Sequence, residues 1–231
     1  MSGPYLAANG AHVVELDAWI PYYGAPVATV SLADGSALAS PVTLSIGTLS
    51  LAMSIASYPD GTAATQTFAG VTTARLVGGA NGWRRPVTMP PYRAPPGSAG
   101  VSMTLVLGNL AAMVGETVSV AADRVLGPFF ATEPRAPASR ILSILAGSLW
   151  WIDALGVTQV APTRPTSTIG SQASVMHIDG GRGWATVATE DPASWVPGAT
   201  YSSGAAPTLT VSAARIRAGA DGVMRHEVLL S

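Results

Sequence analysis

The chain has 231 residues, enough for one large domain or two modest ones, and 48% of them are hydrophobic, which excludes a disordered chain. Only 11% are charged, the net charge is −1 and every basic residue is an arginine, so there is no electrostatic footprint for nucleic acid. The absence of cysteine excludes disulfide frameworks and thiolate metal sites, and no stretch reaches the roughly 18 unbroken apolar residues of a membrane span.

The opening MSGPYLAANGAHVVELDAW lacks a basic region followed by an apolar core, so no secretion signal is expected. Residues 12–19 alternate in part, Tyr22-Tyr23-Gly24 turns, and residues 27–32 read as a second strand. Ala33-Asp34-Gly35-Ser36 is a turn by its Asp-Gly step. Between 42 and 57 the period is two: Val42, Leu44 and Ile46, then Leu49, Leu51, Met53 and Ile55. The change from even to odd positions at Gly47-Thr48 calls for a turn or a bulge to restore the facing. Tyr58-Pro59-Asp60-Gly61 is a further turn, and FAGVTTARLVGG a further strand. These ninety residues are the material of a β-sandwich or small barrel.

WRRPVTMPPYRAPPG (83–97) carries too many prolines for a helix or a central strand and is expected as an extended crossing. Ser102 then caps a helix through Met103, Leu105, Val106, Leu107, Leu110, Ala111, Met113 and Val114, stopped by Gly115. Pro137 suits the first turn of a second helix over 138–146, ended by Gly147, with Ile141, Leu142, Ile144 and Leu145 as its apolar face. Residues 148–153 and 157–160 read as a hairpin around Ala154-Leu155-Gly156, and 163–183 as a loop or an edge strand. Three or four more strands close the chain, the last marked by Leu209, Val211, Ala213, Ile216, Val228 and Leu230.

Groups that carry chemistry are sparse. Trp150-Trp151-Ile152-Asp153 could be a sugar platform with a carboxylate, but strand neighbours point to opposite faces, so the two indoles cannot stack on one ligand. A glycosidase also needs a second carboxylate at a set separation, and Glu190-Asp191 qualifies only by availability. Aromatic residues favour strands and cores, so a hairpin packed into the core is the preferred reading. Of the three histidines, His12 and His226 stand alone, and the His177/Asp179 pair is a weak metal motif beside a solvated or structural histidine. There is no GxSxG, and the glycine-rich pieces GGANGW and GGRGW lack the form of a phosphate loop. They are expected as turns that deliver a tryptophan into packing. Arg84, Arg85 and Arg93 are expected to pair with carboxylates or a neighbouring subunit. No catalytic, cofactor-binding or metal residue is therefore assigned, no cofactor is expected, ligand-binding residues are left open, and low charge points to a surface covered by partners.

Taken in order, RLVGGANGWRRPVTMPPYRAPPG, the capped helix VSMTLVLGNLAAMVGETVSV, the stretch ADRVLGPFFATEPRAPASRILSILAGSLWWIDALGVTQVAPTR and the final DPASWVPGATY…RHEVLL resemble the tail-hub (baseplate hub) proteins of tailed bacteriophages. The resemblance covers roughly residues 70–231 and rests on pattern, with no catalytic signature. It implies a mainly β fold with a few short helices (α+β): two tube-like β-barrel or sandwich domains, 1–90 and 151–231, joined by a linker and helical segment, 91–150. It also implies a homotrimer closing the distal end of the tail tube, in contact with the tube or a distal adaptor protein, with the central spike and with the tape measure protein. The expected place is the virion tail tip, without enzymatic activity, membrane insertion or sequence-specific nucleic-acid binding. The chain is short for that family, so peripheral domains are expected to be missing or supplied by other proteins. The competing readings are a distal-tail adaptor or tail-completion protein, and a carbohydrate-binding or carbohydrate-cleaving module.

Overall fold

The computed structural model describes residues 5–58, 61–169, 174–179, 181, 183–202, 208–219 and 223–231. Its first strands are β1 (Leu6–Ala8), β2 (Ala11–Pro21), β3 (Val27–Leu32), β4 (Val42–Ile46), β5 (Leu49–Ile55), β6 (Thr65–Phe68) and β7 (Val71–Gly78). The order β1-β4-β5-β7-β3-β2 closes on itself because β1 also pairs with β2, giving a six-stranded antiparallel barrel. The change of facing at Gly47-Thr48 is a hairpin turn: Val42, Leu44 and Ile46 stand opposite Met53, Leu51 and Leu49, all buried. A two-residue loop puts both apolar sets on the same face, so no bulge is required. Ala69 and Gly70 both adopt positive φ (49° and 78°), as a type I′ hairpin turn between β6 and β7 demands. At the expected 58–61 turn, Gly61 N–H donates to the Tyr58 carbonyl at 2.9 Å, while Pro59 and Asp60 lie outside the described residues.

The proline-rich passage is extended, and its short strands β8 (Pro86–Val87) and β9 (Tyr92–Arg93) each pair with a later segment. Helix α1 (Met103–Val114) starts at Ser102, whose Oγ accepts from Leu105 N–H at 3.1 Å, and ends at Gly115 in the left-handed region. Asp123 adds a carboxylate that accepts from Thr104 N–H at 2.9 Å, and these bonds to its charged form hold its pKa down at about 2. After it come β10 (Val118–Val120), β11 (Phe129–Phe130), β12 (Ala136–Pro137), helix α2 (Ala138–Ala146), β13 (Trp150–Ile152) and β14 (Thr158–Val160). Pro137 immediately precedes the first helical residue instead of sitting in the first turn. Helix α2 buries Ala138, Ile141, Leu142 and Leu145, an i, i+3, i+4, i+7 stripe; Ile144, expected on that face, lies off the stripe and is 62% exposed. The two helices, Trp83, Val87, Met89, Ile152 and Val160 form a core of their own.

The chain closes with β15 (Ser174–Asp179), β16 (Trp184–Ala188), β17 (Thr200–Tyr201), β18 (Leu209–Ala218) and β19 (Met224–Leu230). Strand β15 is the edge strand anticipated within 163–183; Gly170, Ser171, Gln172, Ala173, Gly180 and Arg182 lie outside the described residues. Strand β18 pairs with β2 from Ala213↔Pro21 to Ala218↔Leu16, so the sheet of the barrel continues outward as β18-β19-β16-β15. A bulge between Val211 and Ala213 breaks the alternation there, and both Ala213 and Ala214 are buried. One core cluster takes residues from the barrel and from these last strands, with Trp195 fully enclosed.

The β13–β14 hairpin joins the helical core to the barrel. Gly24 N–H donates to the Trp150 carbonyl at 2.7 Å and Ile152 N–H to the Gly24 carbonyl at 3.1 Å, which seats Trp151 beside the barrel at 5% exposure. Trp151→Ala is expected to lower folding stability by roughly 3–5 kcal/mol, read by urea unfolding; an unchanged midpoint would show that this indole does not hold the two cores together.

Candidate assembly interface

The two tryptophans of the hairpin face apart, as strand geometry requires. Trp150 lies half-buried against α2, its Nε1 donating to Ser143 Oγ at 3.1 Å. Trp151 packs on the guanidinium of Arg164, 5.1 Å from its ring centroid, and Tyr22 lies 5.7 Å away. Arg164 is 8% exposed and donates to the carbonyls of Tyr22 (2.5 Å) and Pro21 (2.9 Å) at the end of β2; burial pushes its pKa down to about 10, so it stays charged at neutral pH. Asp153 spends both carboxylate oxygens inside the hairpin, accepting from Leu155 and Val157 N–H at 2.9 Å each and from Gln159 Nε2 at 2.8 Å. A cavity of about 390 Å³ lies here, lined by Ile20, Leu49, Trp151, Asp153 and Arg164. Glu190 and Asp191 line a different, broader cleft, and Asp191 accepts from the Thr48 hydroxyl. Asp153 and the Glu190-Asp191 pair thus line separate cavities.

GGANGW cradles a carboxylate of the chain itself: buried Glu116 accepts from Ala80 N–H at 3.1 Å and Gly82 N–H at 2.6 Å. The turn delivers Trp83 into the helical core, where Nε1 donates to Thr158 Oγ1 at 2.8 Å. GGRGW includes Gly180 and Arg182, outside the described residues; its Trp184 meets Trp19 with ring centroids 5.8 Å apart. His177 and Asp179 share one face of β15, and among the described residues no group of three metal-ligating side chains gathers. Arg93 stacks on Phe129 at 5.8 Å, while Arg84 and Arg85 are exposed. Among the described residues no helix is long and apolar enough to cross a membrane.

The strands also form one antiparallel run of eight, β6-β7-β3-β2-β18-β19-β16-β15. Registers place Glu15, Asp17, Arg75, Arg215, Arg217, Arg225, Glu227 and Asp179 on the face turned away from the barrel core, four acids and four arginines. Asp17 pairs with Arg215 at 2.7 Å and Arg217 with Glu227 at 2.6 Å, and the Arg215 bonds hold the Asp17 pKa below its usual value. These half-exposed pairs add little stability, but they make a polar, charge-balanced surface in a chain with few charges. The ends of the run are different. On β6 every residue is exposed, Phe68 to 79%, and on β15 Met176 is 71% exposed. The sequence had merged β6 with β7; the signal that separates them is the Ala69-Gly70 turn between two Thr-rich tetrapeptides. Nothing in the sequence marks Arg164, whose role comes from the carbonyls that the fold brings to it.

No family model matches the chain, and no curated protein matches it in sequence. Solved structures do share its fold. The tail protein from Neisseria meningitidis aligns with 99% of this chain and 96% of its own, at 13% identity and TM-score 0.62. The 43 kDa tail protein of prophage MuSo2 from Shewanella oneidensis aligns over 98% and 96%, at 11% identity and TM-score 0.62. The E. coli c3393 protein, a component of the type VI secretion system with structural similarity to the T4 bacteriophage tail proteins gp27 and gp5, aligns over 97% and 76%, at 10% identity and TM-score 0.60. The chain has the fold of tail proteins, nearly end to end.

One buried group gives this fold a pH dependence. His226, on β19, is 2% exposed with both ring nitrogens unpartnered, and burial pushes its pKa down to about 4. The unfolded chain therefore takes up the proton first, near pH 6.5, and the stability conferred by the neutral ring is lost as pH falls from there towards 4, by roughly 3 kcal/mol. His226→Leu is expected to flatten the pH dependence of the urea midpoint in that window; a variant with the wild-type slope would place the titration elsewhere.

Proposed function

We propose that this chain is a structural component of a bacteriophage tail tip, a hub that closes the distal end of the tail tube as a homotrimer and connects it to the central spike. The observation that carries the reading is the likeness of almost the whole chain to two tail proteins and to a secretion-system component that itself resembles tail proteins. The order of motifs noted in the sequence supports the same assignment. In this proposal the 1–90 and 151–231 stretches are two tube-like β-units that share the β2–β18 junction, with the 91–150 helical segment tied to them through the β13–β14 hairpin and Glu116. The partners are further copies of the chain, the tail tube or a distal adaptor, the spike and the tape measure protein, and the location is the virion tail tip. The hub has a mechanical role and no enzymatic one. This fits the engagement of Asp153 and Glu116 in the chain's own turns and the packing of Trp151 on the Arg164 guanidinium.

A cyclic assembly buries two different patches on each copy, which suits a chain with few charges. The reading is tested by the mass of the purified protein, measured by light scattering behind a sizing column. A species at three times 23.4 kDa is expected. Six copies would instead favour a distal adaptor ring, and a quench of tryptophan fluorescence by oligosaccharides would favour the carbohydrate-binding alternative.

A further inference from the structure

Arg164 is 8% exposed, yet among the described residues no carboxylate lies within ion-pair distance of it. Its Nε and Nη2 donate to the carbonyls of Tyr22 and Pro21. The remaining guanidinium N–H groups, both on Nη1 included, meet no acceptor among those residues. Carbonyls and aromatic faces solvate the cation but bring no counter-charge. The cavity that Arg164 lines, about 390 Å³, has the size of a small-molecule site and mainly apolar walls. We propose that this cavity binds a small organic acid with an apolar body, such as a medium-chain fatty acid, whose carboxylate pairs with Arg164.

Hydrogen-bond accounting decides the sign of the ligand. Asp153 lines the same cavity, but its two oxygens already accept from Leu155 N–H, Val157 N–H and Gln159 Nε2. The acid of the cavity is thus supplied with donors, whereas the cation lacks acceptors, and an anion completes it. A carboxylate matches the planar fork of a guanidinium through parallel N–H···O bonds, and such charge-assisted bonds are about twice as strong as neutral ones. The rest of the wall sets the body of the ligand. Ile20, Leu49 and Leu51 come from the barrel, while Pro26, Pro165 and Pro197 have no N–H to offer. Such a wall suits a hydrocarbon chain and leaves the polar backbone of a peptide, or the hydroxyls of a sugar, without partners. Burial of aliphatic carbon supplies the remaining affinity. Because the walls come from the barrel, the β13–β14 hairpin and the segment after Trp195, a bound acid ties these parts together and raises the melting temperature.

The test uses the full chain and sodium octanoate, followed by isothermal titration calorimetry at neutral pH, where both groups are charged. One octanoate per chain is expected, with 1-octanol and octylammonium bound roughly tenfold more weakly or worse. Arg164→Gln is expected to erase the preference for octanoate over octanol. That variant also loses bonds at the end of β2, so Ala154→Phe serves beside it, with far-UV circular dichroism as the control for folding. Ala154 is exposed on the cavity wall, and a phenyl ring there blocks the cavity while Arg164 keeps its partners. Folded Ala154→Phe is expected to lose octanoate binding. The proposal is overturned by a wild type without saturable octanoate binding or with equal affinity for octanol. Wild-type affinity in Ala154→Phe, or an octanoate preference kept by folded Arg164→Gln, overturns it equally. Tighter binding of an acetylated leucine dipeptide with a free C-terminus would make the cavity a receptor for a protein's C-terminal end, and the small-acid assignment would fall. None of these outcomes depends on how many copies assemble, so failure here is separate from failure of the tail-hub reading.

Discussion

Strand β2 is the constraint on which the rest of the structure depends. At its start, His12 and Ala11 face Ala7 and Ala8 of β1, and this pairing closes the barrel. From Leu16 onward the same edge belongs to β18. One strand thus serves a closed barrel over its first residues and an open sheet over its last. Inward-facing Leu16, Ala18 and Ile20 pack into a core that both ends of the chain share. A break in the β2–β18 register would turn every side chain of β18 to the wrong face, because side chains alternate with a period of two.

Arg164 reinforces this junction from the side. Its guanidinium binds the last carbonyls of β2, fixing the crossover that leads from the hairpin to β15, and Trp151 covers it. A buried cation needs donors satisfied and a polarisable neighbour if it is to stay charged, and here strand-end carbonyls and two aromatic faces meet that need. The helical core is thereby held to the β-structure by the hairpin on one side and by the arginine on the other.

Low charge has a specific distribution in this fold. Eight charged residues lie on one face of the eight-strand run in cross-strand register, acids balanced by arginines. The edges of the run are uncharged or nearly so and carry exposed apolar side chains.

The sequence by itself determined the local structure: the period of two over 42–55, the Ser102 cap and the Gly115 and Gly147 stops, the extended proline passage, and the hairpin at Trp150-Trp151. Each follows from interactions within a few residues, namely side-chain alternation, capping hydrogen bonds and φ limits. The sequence order also carried the resemblance to tail hubs, although at 10–13% identity to the solved tail proteins it could not show how the strands are joined. Only the tertiary structure decided that β1 closes the barrel, that β18 prolongs its sheet, that Ile144 is left outside and that GGANGW holds Glu116. These depend on pairings between residues far apart in the chain, where many registers satisfy the same alternation and only the packing of the whole core selects one.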